Sequence, residues 1–501
     1  MAKVIGSYDT LRQAQEAVRR LVADGIAADC LSILGQDKKH SFVKSGLKKS
    51  VFWGGALGAA VSFLLPGGGH LFLAGNLARA AAMHALRITA TGMLAGAAAG
   101  GTIDVLRRAG LDRRAAHEAA EIIAAGRCAL ALDGDWVTVQ RARRALDTDH
   151  WQPEANLAGV VRRHSYEHQS FLSLYPGMSV WSADELDASV VYRRVGSIVV
   201  VAAAPLAPRE NLTEVTRRFL GFCRGQKLDC LMLPVGPQFA EVAEACGMGL
   251  LRIGESGYFR LPTWKPLGDR GKKVRSGVNQ ARKAGIVVER YDPQKDKSAK
   301  KREQIEALCQ AWINTREVDA LGWLLELNPF VLSEHKRYFL AWNAAGKLEG
   351  MLACSPIYAR NGWYLEDLIR RPDSERGVSE LLVVETLRQL ADEGAELATL
   401  GTSPLAGVKP GKQFRNLSRL LGLIYEHLDA FYHFKALHRF KSKFAPSFVE
   451  PEYIAIYPPR IRLRMIFGVI GAFDPAGLTG VTASKLRRLW REARKREREE
   501  P

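Results

Sequence analysis

Three things are scarce in this sequence, and each scarcity excludes something. Cysteine is thin: Cys30, Cys128, Cys223, Cys230, Cys246, Cys309 and Cys354 are scattered through 501 residues with no CxxC spacing. An odd, dispersed set in a long chain argues against a disulfide framework and a structural zinc site, and it fits a reducing cytosol. Acid is short relative to base, with 53 Asp and Glu against 71 Lys and Arg, a formal net charge of +18. That surplus points to an anionic partner, either nucleic acid, an anionic membrane surface, or both. Long apolar runs are also missing. The most apolar stretch, VFWGGALGAAVSFLL, runs fifteen residues before Pro66, whereas a helix needs about 20 to span a bilayer. A mean hydropathy of -0.10 excludes a polytopic membrane protein. The first residues, MAKVIGSYDTLRQAQEAVRRL, lack the apolar core of a secretory signal.

What is present describes a folded chain. Hydrophobic content of 47% and charged content of 25% exclude disorder. At about 150 residues per domain, the length sets an expectation of three domains.

Residues 1–147 read as one small α/β unit. Lys3 to Tyr8 is a short strand, and Leu11, Ala14, Ala17, Val18 and Leu21 fall at helical spacing after it. Cys30 to Leu34 and Cys128 to Leu132 read as strands, and Arg113 to Ala125 and Val137 to Leu146 as helices. The order βαβ…αβα predicts a split, ferredoxin-like layout. It is interrupted at 51–101 by an insertion whose only charged residues are Arg79 and Arg87. Small residues recur there every fourth position (Gly54, Gly58, Ser62; Gly92, Gly96, Gly100), the spacing that lets helix backbones approach. The expectation is a glycine-rich helical hairpin, buried against itself or a partner, or attached to a membrane. Attachment would be helped by Lys38, Lys39, Lys44, Lys48 and Lys49 just upstream. This part resembles small bacterial stress-protein domains with a glycine-zipper insert.

Residues 148–160 read as a linker, and α/β patterning resumes from 161 to 459. SIVVVAAAPL (197–206) and DCLMLPV (229–235) are short apolar runs of buried strands, with a helix expected over 211–225 between them. The run 265–302 carries thirteen Lys or Arg against four acids, and the tail from Arg460 eleven against five. Farther along, strands at 340–342, 349–357 and 362–370, a helix over 378–392, a strand at 396–401, a mostly helical 413–441 and a strand at 453–457 follow in turn. That is the succession of an N-acetyltransferase-type (GNAT) domain. A rougher copy occupies 161–262, so the chain reads as tandem GNAT-like domains, 161–262 and 263–459, closed by a basic amphipathic tail at 460–501.

Several segments are specific. EDLIRRPDSERGVSELLVVE (366–385), LGTSPLAGV (400–408), YEHLDAFYHFKALHRFKSKFAP (425–446) and EYIAIY (452–457) closely resemble the catalytic domain of the lysyl-phosphatidylglycerol synthases. IGESGYFRL (253–261), KKVRSGVNQARKAG (272–285) and WINTREVDALGWLL (312–325) fall in that family's order and spacing. The resemblance covers 161–459. It implies a tandem GNAT fold and transfer of an amino acid from aminoacyl-tRNA to the glycerol hydroxyl of phosphatidylglycerol, with no further cofactor and no metal. The family's large lipid-flipping membrane domain has no counterpart here, and YPGMSVWSADELDASVVYRR (175–194) matches poorly.

Ester-to-ester transfer is nearly thermoneutral, so the work is positioning and desolvation. The donor's α-ammonium needs a carboxylate: Asp367 is the first candidate, with Glu380 and Glu385 behind it. Arg370 and Arg371 suit a bidentate phosphate clamp. Gly377 opens a helix whose N-terminus is a natural anion site, where the resemblance implies the tRNA acceptor end. Lys443 is placed to stabilise a developing oxyanion, and Ser403 and Tyr432 to hydrogen-bond the aminoacyl ester. Lys272, Lys273, Arg275, Arg282 and Lys283 lie at helical spacing, as tRNA phosphates require, or as one solvated face. His164-Ser-Tyr-Glu-His168 has the HxxEH spacing of an inverted zincin but no third ligand in context.

The lead expectation is an aminoacyl-tRNA-dependent transferase at the inner face of a bacterial membrane, bound peripherally to anionic lipid. A transferase acting on a peptide, a peptidoglycan precursor or a small molecule shares the layout. A non-catalytic membrane-surface stress protein would share the charge.

Overall fold

The computed structural model describes residues 2–37, 60–64, 70–79, 102–146, 155–175, 178–195, 197–269, 271–315, 327, 329–404, 406–407 and 434–460. The chain divides into two compact units, Met1–His150 and Trp151–Pro501.

The first unit holds β1 (Lys3–Tyr8), α1 (Leu11–Ala23), β2 (Leu31–Asp37), β3 (Ala60–Leu64), β4 (His70–Gly75), α2 (Thr102–Arg108), α3 (Arg113–Ala124), β5 (Cys128–Leu132) and α4 (Trp136–Ala145). α1 starts with a reciprocal cap between Thr10 and Gln13. β1 and β2 flank β5 and run antiparallel to it, so the expected split βαβ is present. The strand order is β1-β5-β2-β4-β3, which sets the last strand of the unit into the split. Alternate residues of the sheet face opposite cores. Val4, Leu34 and Ala129 meet α2 and α3, while Ile5, Ile33 and Leu130 meet α1 and α4. Helices therefore cover both faces, one layer more than a ferredoxin-like unit carries.

The described part of the insertion departs from the expected helical hairpin. Ala60–Leu64 and His70–Gly75 are strands, paired with each other and, through β4, with β2. The four-residue spacing of small residues favours close helices, but the β-branched and aromatic content of 61–63 and 71–73 can complete the open edge of β2. The flanks of this hairpin, with the upstream lysines, lie outside the described residues.

The second unit is built on one eleven-stranded sheet, in the order β11-β12-β13-β14-β15-β10-β16-β9-β8-β7-β6. Its first half contributes α5 (Ala155–His164), β6 (Ser179–Ala183), β7 (Ala188–Val195), β8 (Ile198–Ala202), α6 (Leu212–Gly225), β9 (Asp229–Val235), α7 (Pro237–Ala245) and β10 (Gly249–Arg260). Its second half contributes α8 (Lys272–Lys283), β11 (Val287–Tyr291), α9 (Ala299–Asn314), β12 (Arg337–Trp342), β13 (Leu348–Ile357), β14 (Gly362–Arg370), α10 (Val378–Asp392), β15 (Leu397–Pro404), α11 (Phe434–Ser442) and β16 (Phe448–Tyr457). α5 begins inside the stretch read as linker, because Leu157, Val160 and Val161 bury one helical face against Phe171 and Leu174.

The halves repeat a scheme. An antiparallel meander leads through a helix to a parallel neighbour, β8 to β9 across α6 and β14 to β15 across α10. They also exchange strands. β10, from the first half, pairs with β15 of the second, and β16, the last strand among the described residues, pairs with β9 of the first. Among the described residues no helix is long and apolar enough to cross a membrane.

Candidate active site

Two backbone irregularities shape the site. The parallel ladder between β14 and β15 covers only Gly362–Tyr364 against Leu397–Thr399. Beyond it, β14 stays with β13 and β15 stays with β10, so the sheet opens. Next to the opening, β14 bulges. Asp367 stands opposite Ala353 and Leu365 opposite Cys354, leaving Glu366 with no partner. Successive strand residues normally face opposite sides, and a bulge re-aims one of them. Here it gives Glu366 and Asp367 a shared environment of Lys336 and Tyr364.

The electrostatics follow. Burial, then the adjacent Glu366 carboxylate, pushes the Asp367 carboxyl up to about 7, against the pull of Lys336. Lys336, buried just before β12, has its Nζ 3.1 Å from Glu366 Oε2 and donates to Tyr175 Oη at 2.7 Å. Tyr175 donates to Glu366 Oε1 at 3.4 Å. Burial works against the Lys336 charge, and Glu366, Tyr338 and Asp367 outweigh it, holding the ammonium above its ordinary value. The buried thiols of Cys309 and Cys354 lie in the same field, raised first by burial, then by Asp367 at Cys309 and by Glu366 and Asp367 at Cys354.

The remaining candidates lie on and around α10 and α11. Gly377 caps α10 with φ +87°, and a Cβ there would lie 1.9 Å from the Gly277 carbonyl oxygen of α8. Only glycine lets these two helices meet this closely. Lys443 Nζ is 2.6 Å from Glu380 Oε1 and 4.0 Å from the Phe440 ring centre. Glu385 is bonded by Arg282 at 2.6 Å and Arg388 at 3.0 Å. Burial raises its carboxyl, and those two guanidinium bonds outweigh burial and leave it below the ordinary range. Arg370 donates to Ser374 Oγ at 2.9 Å, ordering the turn into α10, and Arg371 Nε donates to the Leu348 carbonyl at 2.7 Å. Ser403 is buried on β15 opposite Glu255. Tyr432 lies outside the described residues.

On α8, Val274, Gly277, Val278 and Ala281 are buried, and Lys272, Lys273, Arg275, Arg282 and Lys283 are exposed. Arg275 binds the carbonyls of Pro266 and Gly268 at 2.7 and 2.8 Å. Lys272, Lys273 and Lys283 face solvent.

Four residues of this neighbourhood escape the sequence reading. Glu366 is visible only as the neighbour of Asp367. Lys336 and Tyr175 carry no local motif. Lys441 sits two residues before the anticipated Lys443. Its ammonium donates to the carbonyls of Gly401 and Thr402 at 3.2 and 2.7 Å, and burial lowers it to about 8. It thus caps the β15 backbone beside the opening, where Tyr364 lies against Gly401.

The zincin-like spacing resolves into separate partnerships. His164 pairs with Asp187 at 2.7 Å. Glu167 accepts the Gly236 N–H at 2.9 Å. His168 lies 3.3 Å from Glu452 and edge-on to Tyr364. Among the described residues no group of three metal-ligating side chains forms.

The second unit has a tandem GNAT-like fold, two halves sharing one sheet. The family model described as "Phosphatidylglycerol lysyltransferase, C-terminal" matches residues 158–456, and the chain belongs to that family. It is 19% identical over 303 residues to phosphatidylglycerol lysyltransferase of Staphylococcus epidermidis, covering 59% of this chain and 34% of that protein. It is 24% identical over 302 residues to an uncharacterised protein of Corynebacterium glutamicum, covering 59% of this chain and 38% of that one. The chain thus spans little more than a third of the length of these relatives. Among solved structures, it is similar to the C-terminal domain of a putative lysylphosphatidylglycerol synthetase from Agrobacterium fabrum (TM-score 0.54, 17% identity, 64% of this chain and 95% of that one). It is also similar to L-PGS from Bacillus licheniformis (TM-score 0.53, 17% identity, 64% and 98%). These likenesses bear on the fold.

Proposed function

We propose that the second unit moves an aminoacyl group from aminoacyl-tRNA to a hydroxyl of phosphatidylglycerol or a related anionic lipid, at the inner face of a bacterial membrane. The observation that carries this reading is the opening between β14 and β15 onto Asp367, a desolvated carboxyl that titrates near neutrality. An ionised Asp367 binds the donor's α-ammonium. The lipid hydroxyl attacks the ester carbonyl, its new C–O bond replaces the ester bond to the tRNA ribose, and its proton passes to the departing ribose oxygen. Lys443 supports the oxyanion on the way. The glycine-capped start of α10 and the exposed lysines of α8, which packs on α10, supply positive potential for the tRNA end.

Family membership supports the reaction class. An acyl-coenzyme A donor extended along the free edge of β15 would have to displace Lys441 from the carbonyls of Gly401 and Thr402. The test is direct: purified full-length protein is incubated with individually radiolabelled aminoacyl-tRNAs and phosphatidylglycerol vesicles. Label in the lipid phase with at least one amino acid is expected, and its absence with all of them refutes the reading.

A further inference from the structure

Two carboxylates on consecutive residues in a desolvated pocket cannot both stay ionised without a cation. In this pocket the cation is Lys336, whose side chain is 0% exposed. Its ammonium is directed by two contacts, Glu366 Oε2 at 3.1 Å and Tyr175 Oη at 2.7 Å, and Tyr175 closes the triangle on Glu366 Oε1 at 3.4 Å. All three contacts involve Glu366 or Tyr175, none of them Asp367.

We propose that Lys336 is the positioning residue of the site: it holds Glu366 as its own counter-ion and leaves Asp367 as the carboxylate that meets the donor's ammonium, a role that rests on the transferase reading above. The bulge makes this division possible, because without it Glu366 and Asp367 would face opposite sides of β14. Tyr175 comes from the first half of the unit, so the division of labour in the second half depends on a side chain of the first.

The surroundings contribute little competing charge. Tyr338 on β12 and Tyr364 on β14 are pushed well above the ordinary phenol range by burial and stay neutral. The thiols of Cys354 on β13 and Cys309 on α9 are likewise raised and neutral. Arg302 and Glu306 of α9 bond each other at 2.9 Å. Lys336 and Glu366 are therefore the charges that set the behaviour of Asp367.

The test uses the full chain with Lys336→Met, Lys336→Arg and Glu366→Gln. Folding is checked by circular dichroism and thermal melting, and the pH profile of kcat/KM for aminoacyl transfer is measured between pH 5.5 and 9. Lys336→Met is expected to move the acid limb to higher pH, with a tenfold loss below the limb for each unit of displacement. Lys336→Arg restores most of it. Glu366→Gln moves the limb to lower pH. A Lys336→Met limb superimposed on the wild type overturns the proposal. Selective ¹³C-carboxyl NMR of Asp367, without substrate, gives an independent reading: its midpoint must rise in Lys336→Met and fall in Glu366→Gln, and unchanged midpoints overturn the proposal. If Lys336→Met does not fold, Glu366→Gln decides by the same criterion. If the wild type transfers nothing, the transferase reading fails on its own, and the NMR titration still decides the role of Lys336.

Discussion

Lys443 Nζ lies 2.6 Å from Glu380 Oε1, and this ion pair joins the segment after α11 to the first turn of α10, beside Gly277 of α8. Both side chains keep about a fifth of their surface, at 18% and 20%. In the proposed transfer, a lysine held by a carboxylate at rest can turn to an oxyanion that forms only during reaction. Lys443→Met is therefore expected to lower kcat by about 10²–10³-fold with KM little changed, the pattern of a lost transition-state donor. Glu380→Gln frees the lysine and is expected to cost about tenfold or less. Steady-state transfer assays on vesicles distinguish these outcomes. A rise in KM alone in Lys443→Met would assign the lysine to binding.

Asp367 gives the site a pH signature. Its carboxyl is raised to about 7, and binding of an ammonium requires the ionised form. Transfer is expected to rise with pH through an acid limb near 7 and to lose that limb in Asp367→Asn, together with most of the rate. Stability has the opposite sign. A carboxyl raised on folding favours the native state fully only below the ordinary carboxylate range, and that contribution is lost progressively from there until pH passes about 7. Asp367→Asn removes the cost of ionising the buried group. Its melting temperature should gain on the wild type from about pH 4 up to about 7 and hold that gain above, as paired thermal melts will show.

Gly377 stands at φ +87° with the Gly277 carbonyl where a methyl group would go. Gly377→Ala combines backbone strain with a collision against backbone, and a loss of about 2–4 kcal/mol is expected. The readout is the denaturation midpoint of the full chain. An unchanged midpoint would mean that α8 and α10 separate freely.

The exposed lysines of α8 predict a salt law. If Lys272, Lys273 and Lys283 each contact a phosphate, the triple Lys→Ala variant should bind tRNA with a log Kd against log salt slope reduced by about 2–3. Unchanged affinity and an unchanged slope would assign these lysines to a solvated surface.

Much of this fold is legible in the sequence. Gly362–Arg370 and Val378–Asp392 coincide with their expected strand and helix, because apolar periodicity, Gly377 and the turn before it all agree. Asp367 is legible through the same motif. Lys336 and Tyr175 are not: 161 residues separate them, and their bond exists only once the loop after α5 reaches the start of β12. The hairpin of Ala60–Leu64 and His70–Gly75 is hidden for another reason. Its glycines and alanines satisfy a helix-packing pattern as well as a turn pattern, and the open edge of β2 chose between them. In the first unit, local signals mark α1, α3, α4 and the strands β1, β2 and β5, but not the short helix Thr102–Arg108, and the placing of β5 between β1 and β2 is a long-range choice.

The exchange of β10 and β16 has a consequence during synthesis. The first half cannot close its sheet until Phe448–Tyr457 leaves the ribosome, more than two hundred residues after Asp229–Val235. Through that interval β9 offers an unpaired apolar edge, and β10 waits for both of its neighbours. The nascent chain is therefore expected to need protection until β16 emerges, and a stop shortly before Phe448 is expected to leave an aggregation-prone fragment.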